Sequence, residues 1–146
     1  MPRFGAWHFS LDRAATVDAY ERVPAGGTGT CTCNTCRNFA AARERIYPAA
    51  FLALLKELGV DPKKDGEAYH LGRTAPRLHH YGGWFHFVGS LDVTGDFAPV
   101  DYGGGFTSWM CRSSAPGLES LKNVPTVQLG FLAERVPWVL DEVEPD

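Results

Sequence analysis

No run of apolar residues in this chain approaches the ~20 that a membrane-spanning helix requires, so no such helix is expected. Nor is there a cluster of lysines and arginines. The 146 residues carry 14 Lys and Arg against 17 Asp and Glu, a net charge of −3. That balance argues against a nucleic-acid partner, which would be met by a basic stripe. It argues equally against an anionic membrane surface, which would need a basic amphipathic helix. The opening "MPRFGAWHFSLDRAATV" lacks the apolar core of a secretory signal and meets Asp12 early, so a cytoplasmic location is expected. Internal repeats and low-complexity tracts are also missing, and the length suits one domain over residues 1–146. "DYGGGF" (101–106) lacks the Lys-Ser/Thr and the following helix of a phosphate loop, which removes that reading.

What the chain does have is "CTCNTCRNF" at 31–39, with three of its four cysteines in six positions. In a reducing cytosol, such a cluster points to metal binding or catalysis rather than to a disulfide framework. A Cys-x-x-Cys turn entering a helix can aim both sulfurs at one ion, and a third cysteine two residues earlier lies within reach. Cys31, Cys33 and Cys36 would then supply most of the four-ligand shell that zinc prefers. Helix N-terminal N–H groups favour thiolates at this place. Cys111, His80 or His86 could furnish the fourth ligand, giving Cys₄ or Cys₃His. In a strand His80, Trp84 and His86 share one face, and His79, Tyr81 and Phe85 share the other. His80 and His86 would lie about 20 Å apart, so only one could reach a given ion unless Gly82 and Gly83 bend the chain.

Two other readings compete with zinc. Cys33 and Cys36 alone form the Cys-x-x-Cys of a thiol–disulfide oxidoreductase, although no βαβ setting is visible and Cys31 would be superfluous. Alternatively, the cysteines are small buried hydrophobes, which suits Cys111 between Met110 and Arg112 better than three cysteines among Thr and Asn. An iron–sulfur cluster is a further option, since three cysteines can hold one with an outside ligand. Zinc in a structural or regulatory role is the reading the spacing favours, with Arg37 offsetting thiolate charge and Asn38 tying the loop to its helix.

The remaining pattern predicts α+β: an antiparallel β-sheet with two helices packed on one face. Strands are expected over 4–11 and 17–23. Helices follow, the first from an Asn34 cap and the second from Pro48 to Gly59, carrying Phe51, Leu54, Leu55 and Leu58 at helical spacing. Strands are expected again over 68–73, 77–93, 106–114 and 126–140, with a loop over 95–105. "YGGWFHFVG" (81–89) could make a small-molecule module, its glycines admitting a ligand beside Tyr81, Trp84 and His86; a bulged core strand is the simpler reading. Asp92 and Asp96 around Gly95 could hold a cation, but a tight turn explains them. His8, His70, His79 and His80 have no acidic neighbour in sequence and read as surface or hydrogen-bonded core residues.

"CTCNTCRNF", followed by "LLKELGVDPKKDGE" and "YGGWFHFVG", resembles a family of small uncharacterised bacterial proteins. These share a C-x-C-x-x-C-R-N-aromatic motif, two helices and a β-rich half over residues corresponding to about 30–140. The resemblance implies that Cys31, Cys33, Cys36, Arg37 and Asn38 act as one unit; it implies no substrate.

Overall fold

The computed structural model describes residues 2–92, 98–112 and 118–146. Its strands are β1 (Arg3–Phe4), β2 (Trp7–Leu11), β3 (Glu67–Ala75), β4 (Leu78–Leu91), β5 (Val100–Gly103), β6 (Phe106–Arg112) and β7 (Thr126–Pro137). The helices are α1 (Arg13–Glu21), α2 (Gly27–Thr30), α3 (Asn34–Ala42) and α4 (Ala49–Leu58), with a 3₁₀ turn (Arg43–Arg45) between the last two. All strand pairs are antiparallel, in the order β1-β2-β4-β7-β6-β5, and β3 also pairs with β4. The fold is the expected α+β.

β4 is the spine of the sheet. At 14 residues it is long enough to pair with β3 over Leu78–Trp84 and with β2 over Gly89–Leu91 along one edge. β7 occupies the other edge. Its side chains alternate as a pleated strand requires. His79, Tyr81, Phe85 and Phe87 are buried on one face, where α3 and α4 lie. Phe39 of α3 packs 5.2 Å from Tyr81, and Phe51 of α4 packs 4.9 Å from Phe106. In α4 the buried residues Phe51, Leu55 and Leu58 fall on one helical stripe. The helix stops at Gly59, whose φ of +82° and N–H bond to Leu55 O make the left-handed cap.

Two expectations need correction. Residues expected as a strand over 17–23 belong largely to α1. Asp12 caps this helix, its carboxylate accepting from Ala15 N–H at 3.0 Å, and Ala14, Ala15 and Ala19 are strong helix formers. The expected loop over 95–105 contains β5, which turns back on β6 through Gly103–Gly105, all at positive φ. Gly95 and Asp96 of the suggested cation turn lie outside the described residues, as do the C-terminal ends of two expected strands (Val93, and Ser113 with Ser114).

Between the ends of β2 and β3, residues 85–88 of β4 have no strand on the edge away from β7. Helix α1 fills the interval. The Tyr20 hydroxyl donates to His86 O at 2.7 Å and accepts from His86 N–H at 3.3 Å. Thr16 Oγ1 accepts from Val88 N–H at 3.0 Å, and Asp12 N–H donates to Val88 O at 2.9 Å. Tyr20 is buried, and that burial holds its phenol protonated well above the usual range. Tyr20→Phe removes one hydroxyl and orphans two buried backbone groups. It is expected to cost about 1–3 kcal/mol, read as a lower urea midpoint at unchanged slope.

Candidate metal centre

The cysteine segment is anchored from behind by Asp65. This carboxylate is fully buried; it accepts from Thr28 Oγ1 at 2.6 Å and Thr28 N–H at 3.2 Å. Arg43 lies 3.7 Å away, and Gly27 N–H donates to the Asp65 carbonyl. The short helix α2 is thereby held against the start of β3, and the chain leaves it directly into Cys31. Gly26 permits this approach, since a Cβ there would stand 2.4 Å from Asp65 O.

Cys31 and Cys33 are in extended backbone, and Cys33 is the N-cap of α3. The sulfurs of Cys31, Cys33 and Cys36 all lie within 4.8 Å of one another, with Cys31 and Cys33 3.2 Å apart. The cysteines are free, Cys33 exposed and the other two half-buried. Cys33 is held down at about 6 by hydrogen bonds from the Thr35 hydroxyl first, then from the Cys36 N–H and the Cys31 thiol. Cys36 is pushed up, by burial first and by the neighbouring thiols. The crowded sulfurs thus favour a thiolate at Cys33 and oppose one at Cys36, as neighbouring like charges require. A bound cation would relieve that crowding. Among the described residues, this is the one group of three or more Cys, His, Asp or Glu side chains placed to hold a metal ion.

Arg37 and Asn38 brace the centre. Arg37 Nε donates to Thr32 O, between Cys31 and Cys33, at 3.0 Å. Its terminal nitrogens hold both carboxylate oxygens of Glu142. Glu142 raises the guanidinium pKa first, with a smaller contribution from the Cys33 thiolate. Asn38 is buried and reaches the C-terminal segment: its amide donates to Pro137 O at 3.2 Å and accepts from Val139 N–H at 2.7 Å. The two residues that follow Cys36 thus join the cysteine helix to the C-terminal end of the chain.

The sequence-derived partners fall on two faces. Tyr81 points toward α3, and its hydroxyl donates to Thr35 O, inside the cysteine turn, at 2.7 Å. Burial, with the charges of Cys36 and Cys33 adding to it, pushes its phenol up to about 12. His80, Trp84 and His86 alternate to the opposite face of β4. Cys111 also lies there, in the same cross-strand row as Gln128 and His86. The sheet therefore separates Cys111, His80 and His86 from the three clustered sulfurs. His86 is buried, which holds its imidazole down at about 4 with Gln128 opposing only in part.

His70 and His79, expected to be surface or hydrogen-bonded core residues, are joined in a hydrogen-bonded chain to an acidic partner that sequence did not indicate. His70 Nε2 lies 2.8 Å from His79 Nδ1, and His79 Nε2 lies 3.2 Å from Glu144 Oε2. His79 is fully buried, with Trp138 5.1 Å from its ring. Partial desolvation disfavours the Glu144 carboxylate, but Arg77 N–H, His79 and Arg73 outweigh it and hold its pKa low. The acidic partner missing near the histidines arrives from 65 residues downstream. Glu144, one of two glutamates in "DEVEPD", offers no local signal of that contact.

No family model matches the chain, and no curated protein or solved structure matches it. No helix among the described residues is long and apolar enough to cross a membrane.

Proposed function

We propose that this protein binds zinc through Cys31, Cys33 and Cys36, as a structural or regulatory centre at the start of α3. The observation that carries the reading is the convergence of three sulfurs within 4.8 Å of one another. Borderline-soft zinc suits thiolates at about 2.3 Å and needs no redox chemistry. The site faces a helix N-terminus and the Arg37 guanidinium, both of which temper the charge of a thiolate-rich shell. Protein purified in reducing buffer without added metal should contain about one zinc per chain, with three thiols protected from alkylation. Cys31→Ser/Cys33→Ser/Cys36→Ser should contain none.

A thiol–disulfide function has one observation in its favour, the contrast between the lowered Cys33 and the raised Cys36. Against it, Cys31 lies 3.2 Å from Cys33, a competing thiol beside the Cys-x-x-Cys pair. Metal-free protein that forms a Cys33–Cys36 disulfide at a thioredoxin-like potential would decide for the redox reading. A brown preparation with charge-transfer absorption would instead indicate an iron–sulfur cluster.

A further inference from the structure

Three thiolates leave a zinc ion one ligand short, and Cys111, His80 and His86 all lie across the sheet from them. His70 lies on the same side as the cysteines. It is the cross-strand partner of Tyr81, its ring stands edge-on 5.2 Å from the Tyr81 ring, and the Tyr81 hydroxyl bonds Thr35 O within the cysteine turn. Tyr81 thus touches both the histidine and, through its hydroxyl, the cysteine turn.

The protons of the His70–His79–Glu144 chain can be assigned from the hydrogen bonds. Ionised Glu144 only accepts, so His79 Nε2 carries the hydrogen between them. With one proton on each ring, His79 Nδ1 is then an acceptor, and His70 Nε2 must donate to it. His70 Nδ1 is left with a bare lone pair. His70 is only half-buried, so that nitrogen is open to a ligand. A histidine that donates its other ring N–H toward a carboxylate is the arrangement by which proteins orient metal-binding imidazoles and raise their basicity. Here a second, buried histidine extends the connection.

We propose that His70, oriented by His79 and Glu144, supplies the nitrogen that completes the zinc shell as Cys₃His. This rests on the zinc reading above. In a tetrahedral shell with zinc–sulfur bonds of about 2.3 Å the sulfurs stand about 3.8 Å apart, so Cys31 and Cys33, 3.2 Å apart, would separate slightly around the ion while the buried His79–Glu144 pair holds His70.

Zinc X-ray absorption on the wild-type protein is the decisive measurement, because it needs no variant to fold. Three sulfurs and one imidazole nitrogen are expected. His70→Ala should then lower zinc affinity by about 100-fold or more, and Glu144→Gln, which touches only the outer shell, by about 10–100-fold. Cobalt substitution gives a second readout: His70→Ala should shift the visible ligand-field bands while the sulfur charge-transfer bands remain. A shell of three sulfurs and one oxygen, with zinc affinity unchanged in His70→Ala, overturns the assignment of His70 but leaves the three-cysteine site standing. Failure to bind zinc at all overturns both.

Discussion

Asp65→Ala is expected to destabilise the protein by about 3–5 kcal/mol, the cost of removing one partner from a buried charged pair. The substitution strands Thr28 and Arg43 together. Thr28 loses the acceptor of its hydroxyl and its N–H, and Arg43 loses its buried counter-ion. Asp65→Asn keeps an oxygen for Thr28 and should cost less. Denaturant midpoints with an unchanged slope would measure both. Since Asp65 fastens α2 immediately before Cys31, the alanine variant should also weaken the zinc binding proposed above. An alanine variant as stable as wild type would show that α2 is held by its backbone contacts alone.

Phe131→Ala should have a comparable effect, about 3–5 kcal/mol. Phe131 is fully buried, with the rings of Phe39, Tyr47, Phe51, Phe85 and Phe106 all within 6.2 Å of its own. It is the point at which both major helices meet the centre of the sheet, so its removal leaves a cavity that no single neighbour can fill. Gly83 belongs to the same arrangement. A Cβ there would come within 2.6 Å of Phe131 Cζ and 2.5 Å of Glu67 O, so the ring fits because that position carries no side chain. Phe131→Leu retains most of the volume and should lose less, by the same measurement. Equal losses for alanine and leucine would mean that the ring stacking, not the filled volume, supplies the stability.

Much of this architecture is legible along the chain because it depends on local pattern. The buried stripe Phe51, Leu55 and Leu58, the Gly59 stop and the alternation through Tyr81, Phe85 and Phe87 each follow from one period and one terminator. The cysteine cluster is equally local, since its three cysteines lie within six residues. The reading weakens where local signals compete. "VDAYERV" has β-branched and aromatic residues, yet Asp12 and the alanines before it commit the segment to a helix. It fails altogether for contacts made by chain reversal. Arg37 meets Glu142 across 105 residues and His79 meets Glu144 across 65. Nothing in the separate segments indicates that the last residues fold back over the cysteine helix and the β3–β4 pair. Asn38 shows the same limit: its type suggested a bond within the loop, whereas its partners are Pro137 and Val139.

The interval in the β4 edge that α1 occupies also bears on how this protein behaves among its own copies. Without α1, the His86 and Val88 backbone groups that Tyr20, Thr16 and Asp12 satisfy would be bare donors and acceptors for a foreign strand, flanked by the apolar Phe85 and Phe87. Exposed apolar edges of this kind seed intermolecular sheets. By spending Thr16 and Tyr20 on that edge, the helix acts as a stopper as well as a packing element. Loosening α1 should therefore show itself first as association between chains, before any loss of the sheet within one.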